Sequence, residues 1–141
     1  MSAADLTALI DAMDDTTVEQ LLALFADVKL TISLPPRTGL VMLTVKDSFA
    51  TDFHLGEVLV TEARVLFQGC EGFGMVTGEA PRRALARAAA DAVLSSTEPS
   101  YIREELETFL AQEGSRRKTQ MAEHAALVAA TRVQFDLMPG A

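Results

Sequence analysis

The chain has 141 residues and a mass of 15.2 kDa, with 12 Lys and Arg against 20 Asp and Glu, a formal net charge of −8. Hydrophobic residues make up 49 %, which fits one globular domain with a single core. The acidic balance argues against a phosphate-backbone binder, the single cysteine against a disulfide scaffold, and no apolar run approaches the roughly 18 residues of a membrane span. The opening Met1-Ser2-Ala3-Ala4-Asp5 has no basic leader region, so a cytoplasmic chain is expected.

The charge is unevenly placed. Residues 1–28 contain Asp5, Asp11, Asp14, Asp15, Glu19 and Asp27 and no Lys or Arg, whereas the remainder is close to balanced. Such a segment reads as a solvated helical face or, alternatively, a docking surface for a basic partner. Leu6, Leu9, Ile10 and Met13 recur at helical spacing. Asp15 or Thr16 then caps a second helix carrying Val18, Leu21, Leu22 and Phe25.

From Val28 the period changes. Val28, Leu30, Ile32 and Leu34 alternate with polar residues as in a half-buried strand, which Pro35-Pro36 should end. Arg37-Thr38-Gly39 turns into the nearly continuous apolar run at residues 40–45, the pattern of a strand covered on both faces. A third strand begins near Phe53 or Glu57 and ends at Phe67. Gly69-Cys70-Glu71-Gly72 connects it to a fourth, from Phe73 to Thr77. Short turns between these strands indicate an antiparallel meander.

Gly78 closes the sheet, and Pro81 stands where a first helical residue belongs. Ala84, Leu85, Ala88, Ala89, Ala92 and Val93 form a stripe of mostly small residues, suited to close packing. A further helix carries Ile102, Leu106, Phe109 and Leu110, and Met121, Ala125 and Val128 continue the spacing beyond Gly114, as the same helix or a separate one. The expected class is therefore α+β: a four-stranded antiparallel sheet between N-terminal and C-terminal helices, in a single domain of residues 1–141. Its parts are an acidic helical segment (1–28), the sheet (28–78), helices (81–131) and a C-terminal arm (132–141).

Chemistry is sparse. His54 and His124 lie far apart in sequence, Cys70 is near neither, and residues three apart on a strand, such as His54 and Glu57, face opposite ways. No metal site or nucleophile–base pair is signalled. The chain has no phosphate-cradling Gly-rich loop, and with no tryptophan and one tyrosine a base-stacking platform is not expected. Two features stand out. Arg82 and Arg83 occupy the first turn of the helix after Gly78, where the dipole disfavours cations unless an anion is present, so Gly78, Arg82 and Arg83 are candidates for a phosphate or a partner carboxylate. Glu79 and an Arg87–Asp91 pair are the internal alternatives. At the C-terminus, Arg132 is followed by Val133, Phe135 and Leu137 alternating with polar residues. That spacing suits a fifth strand of the same domain or an arm exchanged with a partner.

Thr38-Gly39-Leu40-Val41, then Phe53-His54-Leu55-Gly56-Glu57-Val58-Leu59-Val60-Thr61, then Gly78 followed by Ala84, Ala88, Asp91 and Ala92, resemble the PhnG subunit of bacterial carbon–phosphorus lyase. The ending Ala130-Thr131-Arg132-Val133-Gln134-Phe135-Asp136-Leu137-Met138 is similar to that family's closing Thr/Ser-Arg-Val-x-Phe-x-x-Met. Leu85 stands where family members often carry an acidic residue, and Glu79 where a basic one occurs. The resemblance implies a subunit of a core complex with PhnH, PhnI and PhnJ, joined by PhnK and PhnL, in organophosphonate catabolism. It further implies support for transfer of the ribose triphosphate of ATP to alkylphosphonate with release of adenine, a transferase step in a lyase pathway. It brings no catalytic residue and no cofactor of the chain's own. ATP is used by the complex, and the iron–sulfur cluster and S-adenosylmethionine belong to PhnJ. By the same resemblance, the isolated chain is expected to be inactive, self-associating, and bound to neither nucleic acid nor membrane. A stand-alone phosphate- or nucleotide-binding module and a structural homodimer are the alternative readings.

Overall fold

The computed structural model describes residues 1–132. The elements in order are α1 (Ala3–Ala12), α2 (Asp15–Leu24), β1 (Thr31–Lys46), β2 (Asp52–Phe67), β3 (Cys70–Thr77), α3 (Pro81–Ser95) and α4 (Tyr101–Ala130). Local chemistry starts each helix. Ser2 and Asp5 form a reciprocal capping box on α1. The Asp14 carboxylate accepts from the Thr17 amide at 2.8 Å on α2, and Ser100 caps α4. On α3, Pro81 fits the first turn because its missing N–H has no intrahelical partner to lose.

The sheet has three antiparallel strands in the order β1-β2-β3, not the four expected from the sequence. Pro35 and Pro36 do not end a strand: β1 runs 16 residues through them. It is an edge strand, so the missing proline N–H groups need not pair. The register also shifts between Leu34 and Arg37, where β1 carries one extra residue. The two apolar runs flanking the prolines are therefore one strand. The C-terminal segment at Val133, Phe135 and Leu137, expected as a fifth strand or an exchanged arm, lies outside the described residues. Within residues 1–132 the sheet has neither a fourth nor a fifth strand.

The β2–β3 turn is two residues long, because Phe67 pairs with Cys70. Gln68 and Gly69 both have positive φ, 48° and 78°, as the tight primed hairpin turn requires. The helix after Gly78 lies at the centre of the molecule. One side of α3, Ala84 and Ala88, packs on Ala63, Val65 and Val76 of the sheet. Its other side, Ala86, Ala89, Ala90 and Val93, packs on Leu6, Leu9 and Ile10 of α1, Leu21 of α2 and Ile102, Leu106 and Leu110 of α4. A helix buried on both sides suits alanine, which sets short axis-to-neighbour distances.

α4 is a single helix of 30 residues, uninterrupted at Gly114, yet its buried residues all fall between Ile102 and Leu110. At 1.5 Å per residue, about 30 Å of it extends beyond the core. No helix among the described residues is long and apolar enough to cross a membrane.

Candidate functional site

Two regions bear on function: the junction at Gly78 and the far end of the β1–β2 hairpin. At the junction, Gly78 has φ of 80°, its N–H donates to the Leu59 carbonyl at 2.8 Å, and its carbonyl accepts from the Thr61 hydroxyl at 2.6 Å. The same hydroxyl accepts from the Ala80 amide at 3.0 Å. Thr61 thus locks the strand-to-helix turn from below, although sequence reasoning had not singled it out. A threonine on an inward strand position two residues before a buried alanine is the only local signal for it.

The arginines of the first turn of α3 are engaged within the chain. The Arg82 guanidinium makes a two-pronged pair with the Glu19 carboxylate of α2, its Nη2 donating to Oε2 at 2.7 Å. That hydrogen-bonded cation holds the Glu19 carboxyl below its ordinary range and raises the guanidinium further. Arg83 reaches the C-terminal end of α1, where its Nη1 donates to the carbonyls of Ile10 and Met13, the latter at 2.6 Å. Its Nη2 donates to Asp15 at 3.2 Å. The cation unfavourable at the start of α3 is thus favourable at the end of α1, whose last carbonyls carry the negative end of a helix dipole. An added anion at Gly78, Arg82 and Arg83 would compete with Glu19, Asp15 and these carbonyls.

Arg87 is buried and fully partnered. It donates to Thr7 Oγ1, Ala3 O and Phe73 O, and pairs with Asp91 at 3.3 Å. Asp91 in turn accepts from the Phe73 amide at 2.9 Å. The acidic N-terminal helices are therefore in part the chain's own counter-charges to α3. Arg132, a candidate at the start of the C-terminal arm, is exposed just beyond α4.

At the hairpin the picture reverses, since the side chains lack partners. Residues 40–44 of β1 and 52–57 of β2 are all exposed, on both faces of a two-stranded ribbon. Leu40 is 62 % exposed, Met42 55 % and Leu55 61 %, and Phe49 at the tip reaches 87 %. The expectation that residues 40–45 are covered on both faces is thus not met among the described residues. The apolar pattern was legible and its cover was not. Asp47 organises the tip by accepting from the Phe49 and Thr51 amides, both at 2.9 Å, and the Lys46–Asp52 contact closes it. His54 is hydrogen-bonded to Thr44 at 3.1 Å. Among the described residues no cluster of three His, Cys, Asp or Glu is placed to hold a metal ion.

Such an arrangement presents a packed core with a protruding apolar ribbon, and the hydroxyl–imidazole contact of Thr44 with His54 lies exposed on that ribbon. No curated protein matches the chain. The family model described as phosphonate metabolism protein PhnG matches residues 4–140. A match over nearly the whole length makes the chain a member of the PhnG family of phosphonate metabolism proteins.

Proposed function

We propose that this chain is a non-catalytic subunit of the carbon–phosphorus lyase core complex, working with PhnH, PhnI and PhnJ homologues and with PhnK and PhnL. In that assembly it supports transfer of the ribose triphosphate of ATP to alkylphosphonate with release of adenine. The nucleotide, the iron–sulfur cluster and S-adenosylmethionine belong with the partners, and the cytoplasm is the compartment for such an assembly.

The observation that carries this reading is the bare β1–β2 ribbon, with Leu40, Met42, Leu43, Phe53, Leu55 and Leu59 all exposed. A two-stranded ribbon is marginal in water by itself, and large permanent interfaces are apolar. The test is co-expression with PhnH, PhnI and PhnJ homologues, with and without this chain. Complex recovery and adenine release from ATP plus methylphosphonate should both require it. An equally active complex formed in its absence would refute the proposal.

A second reading, a phosphate held at Gly78, Arg82 and Arg83, has the arginine placement in its favour. Calorimetry with ATP on the isolated chain, against Arg82→Ala, separates the two readings. The subunit reading expects no binding heat.

A further inference from the structure

β2 is paired with β1 from Asp52 to Leu66, skipping Leu55 and Ala63, but on its other side β3 covers only residues 60–67. β3 ends opposite Val60, and Gly78 then turns the chain away into α3. The lane beside residues 52–58 is empty among the described residues: residues 52–57 are exposed and Val58 is half-buried. Since the Leu59 carbonyl accepts from the Gly78 amide, Leu59 turns its backbone groups into the β3 lane. Alternation with period two turns the N–H and C=O of Glu57 the same way, while Val58, opposite Val41, faces β1.

An open row of amides is a template for another strand, and edge strands are normally blunted by proline or lysine. Residues 52–58 contain neither, and their regular pairing is broken once, by the extra residue Leu55 between His54 and Gly56, so the regular part of the lane is at residues 56–58. The outer edge of β1 is blunted, by Pro35, Pro36 and the irregular register between Ile32 and Arg37.

We propose that the lane beside residues 52–58 of β2 is completed by an extended strand of a partner protein, with alternating apolar side chains and a Lys or Arg set against Glu57. The inference rests on the subunit reading above and adds the mode of attachment, strand addition rather than contact of faces. Charge selects the partner. Glu57 has no ion pair among the described residues, whereas Lys46 already faces Asp52 at 3.9 Å. A second copy would bring the same acidic edge on a chain of net charge −8, so the cation comes from a different protein.

The test is residue-resolved amide exchange on the full chain, alone and in the complex assembled with PhnH, PhnI and PhnJ homologues. The Glu57 amide is expected to exchange at least about 100-fold more slowly in the complex. Exchange as fast in the complex as in the free chain overturns strand addition but leaves the subunit reading intact. No assembly at all overturns both. Protection of Glu57 in the isolated chain, together with a dimer mass in sedimentation, assigns the lane to a second copy and overturns the choice of partner. Glu57→Pro removes the N–H facing the lane and leaves the Val58–Val41 pairing in place. It should melt like the parent chain and bind the partners about 100-fold more weakly. Unchanged binding by a folded Glu57→Pro chain overturns the proposal. If that variant fails to fold, the exchange measurement decides alone.

Discussion

Gly72 and Gly74 set how closely α3 approaches the sheet. A Cβ added at Gly72 would lie 2.1 Å from the Ala88 carbonyl oxygen and 2.2 Å from the Ala92 amide nitrogen, both backbone atoms that cannot swing aside. Gly72→Ala is therefore expected to cost about 3 kcal/mol or more in urea unfolding. The two first-turn arginines differ in the same way. Arg83 is mostly buried and satisfies carbonyls at the end of α1, so Arg83→Ala should cost about 1.5–3 kcal/mol. Arg82 is exposed, and Arg82→Ala should cost measurably less in the same assay. Asp14 adds a pH dependence. Its hydrogen bonds from the Thr17 side chain and backbone hold its carboxyl below the usual 3.8. A lowered folded-state pKa means the stabilisation is complete above the unfolded-state value and is lost as pH falls through the folded one. Asp14→Asn keeps the cap and removes the titration, so its stability should fall less steeply as pH drops below 3.8 in acid-unfolding curves.

At the scale of elements, what the sequence made legible was local in cause. The helix start at Pro81 and the switch to period two after Val28 follow from a few adjacent residues. The cap of α2 is Asp14, one residue before the expected Asp15, and the β2–β3 turn is Gln68-Gly69 rather than the expected residues 69–72, since Cys70 already pairs with Phe67. The larger misses depended on distant chain. Pro35-Pro36 reads as a strand end unless β1 is known to be an edge. The role of Arg83 was hidden because its acceptors lie some 70 residues away. The run at residues 40–45 signalled burial correctly in chemistry and wrongly in place, because no described part of the chain covers it. Gly114 likewise invited a helix break, although nothing lies within 4 Å of where its Cβ would stand and α4 continues through it. Gly114→Ala should accordingly stabilise the chain by about 0.5–1 kcal/mol, opposite in sign to Gly72→Ala in the same urea titration.

For the molecule as a whole, burial divides the chain into a cooperative core and an appendage. α1, α2 and the first turns of α4 close over one side of α3 while the sheet closes over the other. Every core residue lies outside residues 40–59. The hairpin beyond Val41 and Val58, a directly opposed pair, thus adds little to the free energy of folding. Replacing residues 42–57 by Asn-Gly, which favours a two-residue hairpin turn, should leave a chain that unfolds cooperatively. Its melting temperature should lie within about 5 °C of the parent, a shift of roughly 1 kcal/mol for a domain of this size. If the ribbon exists to meet other subunits, the same chain should fail to join a complex with PhnH, PhnI and PhnJ homologues in size-exclusion chromatography. A shortened chain that unfolds at ambient temperature would place the ribbon in the core's own stability. One that folds and still assembles would move the interface elsewhere, with the exposed distal half of α4 as the remaining large unpaired surface.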